Sequence, residues 1–209
     1  MKHVRTLILL SVLFFAVSGI AQTAAPATPA PQAQAAPQPQ QPPPTIASVV
    51  DRQISGYEKL VVDVAEAMPE DKYNFTPDSL GIKGASYSGV RTFAQLIKHT
   101  AFANFRYWSA VSGDPLPDNV KNAKGSNGPD ELTTKAQIVQ FLKDSFAVGH
   151  RAAKTLTSEN VVEMIPVGQG KQPRLYLATG AVIHNADEYG QMVEYLRMNG
   201  ITPPASAPR

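Results

Sequence analysis

The sequence contains no cysteine. This absence excludes disulfide bonds, thiolate metal ligands, a cysteine nucleophile and a lipid-modified cysteine near the N-terminus. A metal ion could therefore be bound only by histidine, carboxylate or water, and thiol chemistry would require a sulfur atom supplied by a substrate. Histidine is also scarce, since the chain has four and one of them, His3, lies close to the N-terminus.

An excess of positive charge is missing as well. The chain has 19 Lys and Arg residues and 17 Asp and Glu residues. Lys2 and Arg5 precede residue 22 and no acidic residue does, so residues 22–209 carry 17 charges of each sign. A formally neutral protein has no basic surface to neutralise phosphates, which disfavours nucleic acid as a partner.

Residues 1–21 have the pattern of a secretory signal peptide. A charged start is followed by an apolar run over residues 7–17 and by small residues that end at Ala21. The run is shorter than the roughly 20 residues that span a bilayer, which favours cleavage over the alternative of a retained anchor. The pattern predicts export, to the periplasm or the medium, without stable membrane insertion after cleavage.

Residues 22–44 contain only Gln, Thr, Ala and Pro, and eight of them are proline. Such a segment cannot bury a core, and its prolines favour extended conformations. We expect a disordered linker, either a spacer that holds the domain away from a membrane or wall or a linker without a selected role. Residues 45–204 have the length of one domain, and residues 205–209 are expected to form a disordered tail.

Four segments show apolar residues at helical spacing. Pro69 ends the first segment, Thr134 is placed to cap the third, and Gly200 follows the fourth. Apart from a short extended piece at 161–166, the connections show no strand pattern, and the second and third are long enough for crossovers. The sequence therefore predicts an all-α four-helix bundle, with helices over residues 46–68, 92–112, 135–156 and 175–199.

Two polar residues interrupt the apolar face of the fourth segment. His184 and Glu188 are four residues apart, so their side chains can reach one point. Glu188 lies within the apolar arc, between the positions of Ala181 and Met192, and a buried carboxylate needs a partner. That partner could be a metal ion, a protonated histidine or a cation from another helix. Taken alone, the pair is most often an ordinary side-chain interaction.

The other polar candidates are less informative. Lys135, in the first turn of the third helix, could face Glu188 but could also reach water. His150 lies off the apolar stripe, beside Lys143 and Lys154, and is expected at the surface. Packing or ordinary hydrogen bonding is the favoured interpretation of three further residues, which lie at levels suitable for a catalytic role: Asn104, Tyr107 and Tyr189. The sequence therefore leaves the catalytic residues unknown.

A family resemblance is carried by three stretches, "AMPEDKYNFTPDS", "VRTFAQLIKHTAFANFRYW" and "IHNADEYGQMVEYLRMNGITPP". Together they make residues 50–204 resemble the DinB-like superfamily of four-helix metal-binding proteins. The resemblance implies a divalent metal held by one histidine on the second helix and two on the fourth. His99 and His184 match two of these positions, whereas Glu188 stands where the third histidine is expected.

The resemblance thus implies a metal site formed by His99, His184 and Glu188. His99 lies just beyond the edge of its helix's apolar arc. A set of two histidines and one carboxylate suits Zn, Ni, Fe or Mn and leaves positions for water or substrate. The carboxylate lowers the net charge and Lewis acidity of the site, so whether a metal binds, and which, stays open.

Three classes of function follow. The first is a metal-dependent hydrolase, or a transferase of the thiol-dependent kind that the resemblance implies, acting on a small-molecule substrate. The second is a metal- or ligand-binding module without turnover. The third is a degenerate bundle that acts as an interaction domain. Export fits poorly with cytosolic thiol cofactors, and a homodimer is left open.

Overall fold

The computed structural model describes residues 42–208. The predicted signal peptide and most of the predicted linker therefore lie outside the described residues. Within them the chain forms five helices and two strands, together with 3-10 turns at Glu70–Lys72, Pro77–Leu80 and Pro204–Ser206. The elements are α1 (Ile46–Ala67), α2 (Phe93–Ser112), α3 (Asp118–Lys121), α4 (Lys135–Ala153), β1 (Met164–Val167), β2 (Gly170–Pro173) and α5 (Arg174–Met198).

Three of the four long helices begin with the same local device, a capping box. In each, a threonine hydroxyl accepts a hydrogen bond from the backbone N–H three residues later, and that residue's side chain accepts one from the threonine N–H. The box satisfies backbone donors that have no partner inside the helix. It confirms the predicted cap of α4, and the threonines are Thr45, Thr92 and Thr134.

The predicted helix bounds agree with the structure to within one residue for α1, α2 and α5. The exception is α4, which ends at Ala153 although its apolar pattern continues to Leu156. Leu156 is still buried, because the turn that follows α4 packs into the same core. After α5, Gly200 takes a φ of +71°, the left-handed conformation expected of a glycine that ends a helix.

The long helices form a bundle in which sequence neighbours are not always spatial neighbours. Both α1 and α2 pack against α4 and α5, so α1 and α2 lie diagonally opposite each other. The connections from α1 to α2 and from α4 to α5 therefore cross the bundle. The crossover allowed for the third loop is present, whereas the second loop joins α2 and α4, which pack directly together.

The contact between α2 and α4 depends on Gly149. A Cβ atom at this position would lie 2.9 Å from Nε1 of Trp108, which is closer than real Cβ atoms approach other heavy atoms. The missing side chain therefore allows the indole to pack against the backbone of α4.

The extended piece predicted at 161–166 overlaps β1, which is one arm of a β-hairpin. Strands β1 and β2 pair antiparallel across a turn that contains Gly168, with a φ of +58°. Only Ile165 of β1 is buried, so the strand carries too little alternation for its pairing in a hairpin to be predicted from sequence. None of the helices between residues 42 and 208 is long and apolar enough to cross a membrane.

Candidate metal centre

Helix α5 supplies two of the three predicted ligands. Glu188 is 4% exposed and shares its face with the buried residues Ala181, Met192 and Tyr195, as the helical pattern predicts. His184 lies one turn earlier and is partly buried. Its Nε2 atom is 3.6 Å from Oε1 of Glu188, so both side chains are directed to one point.

Helix α2 supplies the third predicted ligand, His99. The His99 side chain is 15% exposed and its ring lies beside that of His184, with 5.1 Å between the ring centroids. Because α2 and α5 pack against each other, a residue at the border of the apolar stripe of α2 still faces α5. The structure therefore brings together all three residues that the sequence proposed, and it does so at the middle of α5 and not at an end of the bundle.

The three ligand atoms form a compact triangle. Nε2 of His99 is 3.2 Å from Nε2 of His184 and 3.4 Å from Oε1 of Glu188, and the third side is the 3.6 Å contact between His184 and Glu188. The 3.4 and 3.6 Å separations are long for hydrogen bonds, and the 3.2 Å separation lies at the upper limit of their usual range. Three atoms so spaced can all lie about 2.1 Å from one point, which is the distance at which Zn²⁺ binds nitrogen and oxygen ligands.

A carbonyl group sets the tautomer of His99. Its Nδ1 atom is 2.6 Å from the carbonyl oxygen of Ser126, and a carbonyl can only accept, so Nδ1 carries the proton. The neutral ring then directs the Nε2 lone pair toward His184 and Glu188. Burial lowers the pKa of His99, and the Ser126 contact opposes this effect only in part. An imidazole held in this way is a metal ligand with its second nitrogen already oriented.

The other two residues have displaced pKa values and unpartnered atoms. Burial, and to a smaller extent the neighbouring His99, lower the pKa of His184 to about 4. Burial raises the pKa of Glu188 to about 7, with Arg91 acting in the opposite direction. Nδ1 of His184 and Oε2 of Glu188 are buried without a hydrogen-bond partner. The site therefore gathers electron-pair donors, and the fixed positive charge that affects their pKa values, Arg91, forms no ion pair with Glu188, which leaves room for a cation.

Lys135, the lysine that could have paired with Glu188, is bound to another part of the bundle. The Lys135 ammonium group donates to the carbonyl oxygens of Glu66 and Met68, at 2.7 and 2.8 Å. Among residues 42–208 neither lysine nor arginine lies within ion-pair distance of Glu188. The alternative in which Glu188 pairs with a cation from another helix is therefore not met, and the lowered pKa values of His99 and His184 disfavour a protonated histidine as its partner. Within the same residues, His99, His184 and Glu188 form the one group of three side chains that could hold a metal.

A loop segment holds Ser126 against α2. Arg91 donates to the side chains of Asn127, at 2.9 Å, and of Ser126, while Lys98 donates to the carbonyl of Pro129 at 2.9 Å. Gly128, with a φ of +74°, lies so close to Lys98 that a Cβ atom would be 3.0 Å from the Lys98 carbonyl oxygen. We call residues 126–129 the orienting loop. Its "SNGP" sequence indicates a turn but contains no signal for its contact with His99.

A buried amide pair fixes α2 against α5 beside the site. Asn185 donates to Asn104 at 2.7 Å and Asn104 donates back at 3.2 Å, while Asn104 also contacts Ser145 of α4. Asn185 directly follows His184, so this pair sets the position of the His184 ring relative to α2. The interpretation of Asn104 as a hydrogen-bonding residue of the core is confirmed, whereas its partner Asn185 was missed.

A cleft of about 670 Å³ opens onto the histidines. Its walls come from α2, the start of α5 and the tip of the β-hairpin, and the surface that lines it is mainly apolar. Tyr107 lies in the wall with its ring centroid 6.2 Å from that of His184, whereas Tyr189 packs against the core and does not line the cleft. The cleft gives a small molecule a route to the open side of the ligand triangle.

His150 is not the isolated surface residue that the sequence suggested. Its Nδ1 atom is 2.7 Å from Asp51 and its Nε2 atom is 2.9 Å from Glu58, both on α1. Burial lowers the pKa of His150, but the hydrogen bonds to the two carboxylates outweigh that effect and raise it. The helical wheel of α4 showed only the lysines beside it, because the acidic partners belong to another helix.

Comparison with known proteins agrees with this arrangement. Residues 53–192 match the family model described as the DinB superfamily. The chain belongs to the DinB superfamily. Its fold is similar to that of a DinB-like protein from Bacillus subtilis, with a TM-score of 0.52 and 15% identity over 74% of this chain and 93% of that chain. No curated protein matches the sequence.

Membership in the DinB superfamily accounts for the bundle and its crossed connections. At 15% identity the likeness to the Bacillus subtilis protein extends to the fold alone. Glu188 stands where the resemblance implies a second histidine on α5, and its carboxylate converges with His99 and His184 in a group that could hold a metal ion.

Proposed function

We propose that this DinB superfamily protein binds one divalent cation through Nε2 of His99, Nε2 of His184 and Oε1 of Glu188. The observation that carries the proposal is the triangle formed by these atoms, with sides of 3.2, 3.4 and 3.6 Å. Its separations fit metal ligands better than hydrogen-bonded partners. Zn²⁺, Ni²⁺, Fe²⁺ and Mn²⁺ all accept such a set of ligands.

We further propose that the site is catalytic, as a metal-dependent hydrolase or thiol-type transferase. A divalent cation, when bound, lowers the pKa of a water molecule or substrate thiol that reaches it. The chain's own residues have separate tasks. His99 is held with its Nε2 lone pair toward the site by the Ser126 carbonyl, Glu188 supplies the single negative charge, and the apolar cleft excludes bulk water from the substrate.

The metal is tested by elemental analysis of the protein purified from its native host. We expect about one divalent ion per chain in the wild type and at least a tenfold loss in His184→Ala, because two remaining ligands bind a metal weakly. His150→Ala is the matched control, since it removes a histidine outside the site and should keep its metal. Equal metal content in all three proteins would contradict the proposed ligands.

Catalysis is tested separately. The metal-loaded wild type and His184→Ala are each assayed for hydrolysis of esters and amides and for transfer reactions that use a thiol. Metal-dependent turnover that the variant lacks would support an enzyme. A metal-loaded protein without turnover on any of these substrates would favour the binding module.

We also propose that the protein is exported and cleaved after Ala21. The support is the charged start, the apolar run and the small residues of the N-terminal segment. Mass spectrometry of the exported protein from its native host should give a start at Gln22. An exported protein that retains Met1 would indicate an uncleaved anchor instead.

A further inference from the structure

The cleft beside the candidate metal centre contains one feature that metal binding does not use. Arg106 lies on α2, seven residues after His99, and both line the same cleft. Seven residues of helix correspond to two turns, or about 10 Å along the axis. The cleft therefore contains the histidines of the ligand triangle and, about two turns further along α2, a guanidinium group, and its lining continues past both to Asp114.

The Arg106 guanidinium is exposed and held in place. Its central carbon lies 5.6 Å from the ring centroid of Phe102, one turn earlier on α2, so the side chain leans toward His99. Stacking on an aromatic ring leaves the edges of a guanidinium free to donate hydrogen bonds. Among residues 42–208 neither a carboxylate nor a hydrogen-bond acceptor is paired with this group.

The cleft wall is mostly apolar. On α2, Ala103 lies between His99 and Arg106, and Ala110 lies one turn beyond Arg106. Leu116 and Leu177 add aliphatic surface. Asp114 also lines the cleft and adds a negative charge, which disfavours a ligand with a second anionic group near it. Such a wall suits an apolar body, because its burial is favourable and there are few polar groups to desolvate.

We propose that the cleft binds a small amphipathic anion, whose carboxylate, sulfonate or phosphate group pairs with Arg106 and whose apolar body lies against α2. The opposite end of this ligand, about 10 Å away, is placed beside His99 and His184. The inference rests on the proposed function in assigning the reacting end of the ligand to the metal centre. The anion subsite itself depends on Arg106 and the cleft wall alone.

The test uses hexanesulfonate as the probe, because a sulfonate is a poor metal ligand and reports on Arg106 without binding the cation. Binding to the full-length, metal-loaded protein is measured by calorimetry and compared with 1-hexanol, which has the same apolar body and no charge. The variant is Arg106→Gln. Arg52→Gln is the control, since Arg52 is an exposed arginine on α1 outside the cleft.

We expect Arg106→Gln to weaken hexanesulfonate binding by about tenfold, as loss of a charge-assisted hydrogen bond predicts, and to change 1-hexanol binding less than twofold. Arg52→Gln should bind both probes like the wild type. Equal hexanesulfonate affinity in the wild type and Arg106→Gln, or no hexanesulfonate binding to the wild type, would overturn the inference.

Failure of the metal hypothesis is distinguished by His184→Ala. We expect this variant to retain the Arg106-dependent preference for hexanesulfonate over 1-hexanol although it lacks the metal. If the preference disappears with the metal, the sulfonate is bound by the cation and the anion subsite is refuted. If the purified wild type contains no metal and still prefers hexanesulfonate over 1-hexanol, the metal site is refuted and the anion subsite stands.

Discussion

Glu188 links the packing of the bundle to the chemistry of the candidate site. Its side chain lies among apolar neighbours, one of its oxygens has no hydrogen-bond partner, and its pKa is raised to about 7 by burial. If this position only stabilised the fold, a neutral residue would give a more stable protein, because an unpaired buried carboxylate is costly. The proposed cation would supply the partner that this carboxylate lacks.

Glu188→Gln should therefore have opposite effects with and without metal. At pH 8 in EDTA we expect the free energy of unfolding to rise by about 1 kcal/mol, because a neutral amide costs less to bury than an unpaired carboxylate. With Zn²⁺ in excess, the wild type should be stabilised by about 3 kcal/mol at 100 times the dissociation constant. The variant should gain far less.

Urea unfolding measures both effects, and Glu194→Gln is the matched control because Glu194 is exposed on the same helix. A Glu188→Gln protein that is less stable than the wild type in EDTA would show that the carboxylate contributes to folding and not to metal binding.

The His150 cluster predicts a dependence of stability on pH. Asp51 and Glu58 raise the pKa of His150 above its unfolded value. Its contribution to stability is therefore fully present below about pH 6.5 and is lost as the pH rises through the folded pKa. Because the side chains are partly exposed, we expect His150→Gln to cost at most about 1 kcal/mol at pH 5.5 and close to nothing at pH 9. Thermal unfolding at the two pH values measures the difference; an equal cost at both would mean that the charge pairing contributes nothing.

At the scale of elements, the orienting loop connects the α3–α4 region to the ligand on α2. In Gly128→Ala a Cβ atom would lie 3.0 Å from the Lys98 carbonyl oxygen, at a φ of +74° that disfavours alanine. We expect the loop to shift and the Ser126 carbonyl to leave Nδ1 of His99, with a 10- to 100-fold loss of metal affinity. Gly84→Ala is the control, since Gly84 has a similar φ of +82° but no atom within 4 Å. Competition with a fluorescent chelator gives both affinities, and equal values would exclude an orienting role.

The α2–α4 contact gives a second prediction at this scale. Gly149→Ala places a Cβ atom 2.9 Å from the Trp108 indole, and overpacking of this kind costs about 1–3 kcal/mol. Gly56→Ala, in α1 with no atom within 4 Å, should instead stabilise the protein by about 0.5–1 kcal/mol through helix propensity. The two changes in the free energy of unfolding should have opposite signs. Both are measured by chemical unfolding, monitored through the fluorescence of Trp108, the single tryptophan. Equal effects would show that α4 moves away from α2 at little cost.

At the scale of the whole molecule, the composition changes sharply at the start of α1. We predict that brief digestion with a protease of broad specificity cuts the chain before Thr45 and leaves a resistant fragment that contains residues 45–204. The physical reason is that the Pro- and Gln-rich segment cannot bury a core, whereas the backbone of the bundle is hydrogen-bonded within packed helices. Mass spectrometry of the fragment gives its ends; early cuts within α2 or α5 would contradict the prediction.

The helices of this bundle were predictable because their determinants are local. An apolar residue every three or four positions, a threonine before the first turn and a glycine after the last are all read within a few residues of each other. The same reasoning placed Glu188 in the core of α5, since only the phases of neighbouring residues were needed. The α4 end and the hairpin were less accessible, because the burial of Leu156 and Ile165 comes from contacts outside their own segments.

The sequence by itself therefore determined which helices form, which faces they bury, and that Glu188 would be buried and need a partner. The family resemblance named His99 and His184 as the neighbours of Glu188, and only the tertiary structure showed that the three side chains meet. His99 and His184 are 85 residues apart, and their contact depends on the angle and register of two packed helices. The same is true of Ser126 beside His99 and of the two carboxylates beside His150. Helical periodicity specifies a direction around one helix axis, whereas the position of a side chain on a second helix is set by the packing of the whole core.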